Sequence, residues 1–182
     1  TAEGFEGGLK STWGKSGLST TLVLYMQERK DVGRQFQDFS FNPPRTYGIL
    51  TPGEEVKGVE LEATYEASKQ LNFTVLYAQF DGKITGAPPG RNAIIGQELP
   101  RAPEQSGNIL ANYKIEGDGA LGKTRWTLGA NWRSKTWLDT GLNTNTFERR
   151  SDGGTVVFAV ISKEFQLANK RAITVRLNVG NI

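Results

Sequence analysis

Val59-Glu60-Leu61-Glu62-Ala63-Thr64-Tyr65-Glu66-Ala67 alternates apolar and polar residues without a break. Successive side chains of a β-strand point to opposite faces, so this stretch forms a strand with one greasy face and one acidic face. Helical spacing would mix the two sets. The pattern recurs along the chain. Leu71, Phe73, Val75 and Tyr77 alternate with Asn72 and Thr74; Ile109, Ala111, Tyr113 and Ile115 alternate with Asn108, Asn112 and Lys114. Trp126, Leu128, Ala130 and Trp132 alternate with Arg125, Thr127, Asn131 and Arg133, and Ile173, Val175, Leu177 and Val179 alternate with Thr174, Arg176 and Asn178. Phe5, Leu9 and Trp13 form a weaker set, as do Leu18, Leu22, Leu24 and Met26. The stretch 155–166 begins apolar on both phases, and its faces stay unassigned.

These strands begin near residues 5, 18, 56, 71, 107, 124, 155 and 172, and the connections between them alternate in length. Segments 13–18, 67–71, 115–124 and 167–172 are short and rich in Gly, Ser, Asn, Asp and Lys. Segments 31–55, 82–104 and 139–154 are long and carry most of the prolines. Short turns at one end and long loops at the other are the asymmetry of outer-membrane barrels, whose short turns are periplasmic. The expected fold class is therefore all-β: an antiparallel up-and-down transmembrane β-barrel segment of about eight strands. A propeller of similar repeat length needs four strands per blade, twice what each repeat here supplies.

Composition agrees with this and removes other classes. Hydrophobic residues make up 37% of the 182 residues, and the mean hydropathy is −0.44. The longest apolar run, 156–161, is far short of the roughly 20 residues of a membrane-spanning helix. A barrel strand, half lipid-facing and half lumen-facing, needs no such run. The 22 basic and 19 acidic residues are dispersed along the sequence, with no basic stripe of the kind that binds nucleic acid. With no cysteine and no histidine, the chain lacks thiol–metal sites and the usual general base at neutral pH. Glu60, Glu62 and Glu66 share a face, but as solvated carboxylates rather than as an acid–base set. No enzyme is expected.

The aromatics mark one edge of the apolar band. Trp13, Tyr65, Phe73, Tyr113 and Trp126 belong to the apolar sets, and each lies within a few residues of a short connection. They are expected to form a belt at one membrane interface, where a ring with a polar edge is favoured.

Three motifs add a resemblance. Glu55-Val56-Lys57-Gly58-Val59-Glu60-Leu61-Glu62-Ala63 resembles a strand-opening stretch of TonB-dependent receptors, particularly ferric siderophore receptors. Gln97-Glu98-Leu99-Pro100-Arg101-Ala102-Pro103-Glu104-Gln105-Ser106 is similar to the family's entry into the next strand. Leu177-Asn178-Val179-Gly180-Asn181-Ile182 resembles the segment that precedes its last strand. The resemblance implies that residues 1–182 are a C-terminal portion of a larger barrel of the 22-stranded type, with its plug domain and final strand outside this stretch. It implies an outer-membrane receptor for a ferric siderophore, energised through TonB, with the chelate as transported ligand and no resident cofactor. The implied partners are that small ligand, outer-membrane lipid and TonB, reached through an N-terminal region; nucleic acid is not among them. In such receptors the upper barrel wall and the loops meet the ligand. By phase, Trp137 continues the polar set of Arg133 and Lys135, and Phe80 lies on the polar phase of its own strand. Arg45, Tyr47 and Arg91 lie on long loops. These five are the candidate ligand contacts, because aromatics and arginine suit a flat, anionic chelate.

Two alternatives stay open at this point. A self-contained eight-stranded outer-membrane barrel, structural or adhesive, requires the first strand to close on the eighth. A soluble β-sandwich binding module requires the apolar faces to pack on one another.

Overall fold

The computed structural model describes all residues except 39, 52, 88–94, 118, 139–149, 168–170 and 182. Eight long strands form one antiparallel sheet: β1 (Ala2–Thr12), β2 (Leu18–Arg29), β5 (Gly53–Glu66), β6 (Leu71–Gly86), β7 (Gln105–Ile115), β8 (Thr124–Arg133), β11 (Gly154–Gln166) and β12 (Ala172–Gly180). Each pairs with its neighbour in the chain, so the sheet is a simple meander. A single 3₁₀ turn, Gly14–Ser16, joins β1 to β2, and Gly17 closes it with φ +72°, a left-handed conformation that suits glycine.

Register sorts the side chains into two continuous faces. Leu61 stands between Leu22 and Tyr77, Leu128 between Ala111 and Ala159, and Ile161 between Trp126 and Leu177. The alternation in each strand is thereby kept in phase across the whole sheet, and a slip of one residue anywhere would break both faces. Nothing covers the apolar one. Leu61 is 36% exposed, Leu128 57% and Phe5 83%; among the described residues the one buried hydrophobic side chain is Ile84. The sandwich alternative, which needs a second layer over these residues, is set aside by this observation.

The closed eight-stranded barrel is set aside as well. The sheet order starts at β1 and ends at β12, and these two do not pair with each other. Each has one edge of backbone groups facing no strand among the described residues.

Aromatic rings gather at both margins of the apolar face. Toward the short turns, Tyr65 stacks on Phe73 with ring centroids 6.4 Å apart, and Tyr113 stands opposite Trp126. The indole N–H of Trp13 donates to Thr20 Oγ1 at 3.1 Å, and that of Trp126 to Thr124 Oγ1 at 3.2 Å. Each ring thus keeps an apolar body and a satisfied polar edge. Toward the long loops, Trp132 stacks on Tyr77 at 5.8 Å, its ring lying over Gly107 between them. A Cβ at position 107 would collide with the indole, so glycine makes room for the stack. This outer pair was not anticipated from sequence.

β11 is resolved by its neighbours. Thr155, Val157, Ala159 and Ile161 align with the apolar sets of β8 and β12, and Val156, Phe158 and Val160 fall on the polar face. Phe158 lies over Gly129 toward Leu110, forming an apolar island there. Lys163, on the apolar face beside the β7–β8 turn, snorkels to that turn, donating to the carbonyls of Ala120 at 2.5 Å and Gly122 at 3.2 Å.

Three expectations about the loops are corrected. Segment 31–55 is not irregular throughout: β3 (Val32–Asp38) and β4 (Arg45–Thr51) pair as a hairpin of their own. β6 does not stop before residue 82 but continues to Gly86. Its partner β5 spans 14 residues and β6 spans 16, more than the 9–11 or so that cross a bilayer. The extra length carries an outward charge lattice. Lys57–Glu55 (2.7 Å) and Lys83–Asp81 (3.0 Å) pair along the strands, while register sets Lys57 opposite Asp81 and Glu55 opposite Lys83. The hydrogen bond and charge of Asp81 raise the Lys83 pKa above its ordinary value. Segment 139–154 is closed at its base by a short pairing of β9 (Thr136–Trp137), just before it, with β10 (Arg150–Ser151) inside it.

Candidate functional site

The polar face changes character from the short-turn end to the long-loop end. Near the short turns, Lys114, Arg125, Ser162 and Arg176 occupy one row across four strands. Next comes a ladder of amides and hydroxyls: Asn112 Nδ2 donates to Asn72 Oδ1 at 3.0 Å, and Thr127 Oγ1 donates to Asn112 Oδ1 at 2.7 Å. Asn108 donates to Asn131 in the same manner two rows higher, beyond the Leu110–Gly129 row. Here the sheet is concave. A hollow of about 520 Å³ is lined by Thr21, Glu60, Glu62, Leu76, Asn108 and Asn131, among others. Glu60, Glu62 and Glu66 lie along β5 on this side, and among the described residues no three carboxylates converge to hold a metal.

Above the hollow the wall becomes aromatic. Gly58 separates Tyr25 from Phe80 in register, and the Tyr25 ring lies over the glycine so closely that a Cβ would collide with it. Gly82 gives Phe80 the same freedom: a Cβ there would lie 2.7 Å from the Phe80 ring and 2.9 Å from Leu99 Cδ1. The Leu-Pro-Arg-Ala-Pro stretch, 99–103, lies within a strap that runs along β6 just ahead of the start of β7. Phe80 N donates to Glu104 O (2.8 Å), Leu99 N to Gly82 O (2.9 Å) and Ile84 N to Gln97 O (3.0 Å), with Ile84 buried beneath. The prolines lack the N–H that a ladder would need, and they fall between these bonds. On the strap's other side, Arg101 N donates to Trp137 O at 2.6 Å, and Gln105 N to Ser134 Oγ at 3.0 Å.

Of the five candidate contacts, two adjoin this strap through their backbones: Phe80 N donates to Glu104 O, and Trp137 O accepts from Arg101 N. Trp137 carries a partner that sequence reading missed. Arg150, opposite it in the β9–β10 pair, places its guanidinium 3.7 Å from the indole centroid. Arg45 and Tyr47 lie apart from these, on β4, where Tyr47 is exposed and the Arg45 guanidinium sits 4.3 Å over the Phe41 ring. Arg91 lies outside the described residues. Trp13, Tyr65, Phe73, Tyr113 and Trp126 all stand on the apolar face near the short turns. They fall on two adjacent rows, one through Leu18, Tyr65 and Phe73 and the next through Leu71, Tyr113 and Trp126, with Trp13 bonded by its backbone N–H to Leu18 O (2.9 Å). Such a step between rows is what strands tilted to a barrel axis produce.

The arrangement is a wall with oil-compatible side chains on one side and water-compatible ones on the other, with the stacked Trp137–Arg150 pair near its long-loop end. It can present flat cationic and π surfaces to a ligand at its long-loop end. Among the described residues it shows no constellation of nucleophile, base and oxyanion donors.

No curated protein sequence matches the chain. Among solved structures, the siderophore receptor PiuA from Acinetobacter baumannii superposes with a TM-score of 0.69 at 19% identity, over 99% of this chain and 24% of that one. BauA, the ferric preacinetobactin receptor of the same organism, gives a TM-score of 0.70 at 15% identity, over 99% of this chain and 25% of that one. The ferric-catecholate import receptor Fiu from K12 E. coli gives 0.66 at 18% identity, over 100% of this chain and 23% of that one. At these identities the likeness is one of fold, and the chain spans about a quarter of the length of the receptors it matches. The family model described as TonB dependent receptor-like, beta-barrel, matches residues 1–182, the whole chain. The chain therefore belongs to the TonB-dependent receptor family, within its β-barrel.

Proposed function

We propose that the chain is part of the wall of a bacterial outer-membrane receptor that imports a ferric siderophore with energy delivered through TonB. The observation that carries this reading is the uncovered apolar face, in register across eight strands, backed by a concave polar face. That combination suits lipid outside and a water-filled lumen inside. On this reading the free edges of β1 and β12 pair with further strands of a 22-stranded type of barrel, and a plug domain sits within. The short turns are periplasmic and the long loops extracellular. The family's solved relatives are named as receptors for siderophores and ferric chelates, which supports a ferric chelate as cargo here. The protein's task is then transport rather than catalysis, with iron arriving as substrate and leaving again.

Within the receptor, the Trp137–Arg150 pair and Phe80 are assigned to the ligand wall, with Arg45, Tyr47 and Arg91 contributing from the loops. An anionic, planar chelate stacks on the free face of the indole while the guanidinium on the other face supplies charge. Such contacts contribute about 1–2 kcal/mol when desolvated. Trp137→Ala in the complete receptor is therefore expected to weaken binding of its ferric chelate by roughly 5- to 30-fold. Titrating the purified receptor with ferric citrate, a ferric catecholate and a ferric hydroxamate, followed by tryptophan quenching, tests this. An unchanged affinity removes Trp137 from the site, and no binding by any of the chelates contradicts the siderophore reading.

A further inference from the structure

Lys163 interrupts the apolar face. Among the described residues of the eight long strands, it is the one charged side chain in the short-turn half of that face. Register puts it between Thr124 on β8 and Val175 on β12. The neighbouring row on this face holds Tyr113, Trp126 and Ile161, so Lys163 stands on the short-turn side of the aromatic rings. At the long-loop end, Lys57 and Lys83 each pair with a carboxylate of their own strand. Lys163 pairs with none among the described residues. Glu164, next to it, belongs to the polar face and accepts from Gln166 Nε2 at 2.6 Å.

The β7–β8 turn holds this ammonium in place. Lys163 Nζ donates to Ala120 O at 2.5 Å and Gly122 O at 3.2 Å, while Thr124 Oγ1 donates to Leu121 O at 2.6 Å. Both donors share one row of the apolar face, so the turn is drawn over that side of the sheet. Leu121 is left 60% exposed there. Two neutral carbonyls orient an ammonium without cancelling its charge, and they take two of its three protons.

The result is a fixed cation bordered by apolar surface. Leu121, Trp126 and Phe165 are exposed around it, and the Phe165 ring centroid is 5.5 Å from Nζ. A small soluble anion would match the ammonium alone. A phospholipid matches both parts, with a phosphodiester for the cation and acyl chains for the side chains beside it. Aromatic rings settle at the bilayer interface, which sets a cation just outside them at the depth of the phosphates. A lipid of net negative charge gains most, because a zwitterionic headgroup brings an ammonium of its own. We propose that Lys163 binds the phosphodiester of an anionic phospholipid in the periplasm-facing leaflet, with Leu121 and Trp126 against its acyl chains. This rests on the reading of the apolar face as lipid-facing and of the short turns as periplasmic.

The test uses the complete receptor, made cysteine-free, with Val175→Cys carrying a bimane label directly opposite Lys163. It is placed in phosphatidylcholine nanodiscs containing either brominated phosphatidylglycerol or brominated phosphatidylcholine at the same minor fraction. Bromine quenches the label on contact. The expected result is a local enrichment of phosphatidylglycerol of about fivefold, the preference that one lysine at a lipid surface provides. Lys163→Met should abolish it, Lys163→Arg should keep it, and molar sodium chloride should weaken it where Lys163 is retained. The salt arm changes no residue at the site, so it reads the charge even if Lys163→Met loosens the turn. Equal quenching by the two lipids, or a preference unchanged by Lys163→Met or by salt, would overturn the proposal. Quenching by neither lipid would overturn it together with the lipid-facing reading, so the two failures are told apart.

Discussion

Leu22→Arg is expected to destabilise the complete receptor in lipid vesicles by about 2–4 kcal/mol, the cost of an arginine on the lipid face near the bilayer midplane. At 1.4 kcal/mol per factor of ten, the folded population relative to unfolded falls by roughly 30- to 700-fold. Leu22 is at the middle of the apolar set of β2, which runs from Leu18 to Met26, and its neighbours in the row are Leu9 and Leu61. Thr21, one residue earlier, points the other way. It lines the concave hollow and stands opposite Glu62. Thr21→Arg therefore places the same guanidinium in water beside a carboxylate, and is expected to change stability by less than about 1 kcal/mol. Guanidinium unfolding of the two variants in vesicles makes the comparison within one strand. Equal losses would mean that both faces of β2 are packed against protein.

The second large effect concerns solubility. The chain exposes 13,076 Å² of surface, whereas a compact monomer of its 20.0 kDa mass exposes about 8,700 Å². The excess is that of a single curved layer with both faces open, and one of those faces is Leu, Val, Ile and aromatic. Soluble monomers seldom leave a contiguous apolar patch larger than about 300–600 Å². The unpaired edges of β1 and β12 add templates for strand addition. The isolated 182-residue chain is thus expected to be dispersed by detergent micelles and to aggregate when the detergent is diluted below its micellar limit. Light scattering after size exclusion reads the outcome. A stable monomer without detergent would contradict the exposed apolar face and support a second layer that the sheet does not show.

The fold was legible wherever one physical demand governed a whole strand. In β5, β7, β8 and β12, every second residue meets the apolar face, so the period of two runs unbroken from Val59 to Tyr65 or from Ile173 to Val179. β11 defeated that reading because Phe158 answers to a different demand: it fills the space above Gly129, two residues that only the register brings together. The β3–β4 hairpin pairs only with itself and stands outside the main sheet, so the register of that sheet sets no phase for it. The outer Tyr77–Trp132 stack was missed for a related reason, since its organising residue is Gly107, which carries no side chain to read. At the candidate site, phase alone placed Phe80 on the polar face, where register sets it across Gly58 from Tyr25. Arg150 could not be found that way. It lies at the far end of a long loop, and only the β9–β10 register sets it over the Trp137 ring.

Everything turns on the two faces of the sheet meeting different solvents, and spin-label accessibility reads that directly. The chain has no cysteine of its own, so single cysteines at positions 59 through 66, in a cysteine-free complete receptor, give a clean scan of β5. In native outer-membrane vesicles, labels at 59, 61, 63 and 65 should collide mainly with oxygen, which concentrates in lipid. Labels at 60, 62, 64 and 66 should not share that preference, being reached by a polar nickel chelate or screened by polar protein. Strict alternation of this kind is the predicted result; low oxygen accessibility at 61 and 63, no higher than at 60 and 62, would contradict it.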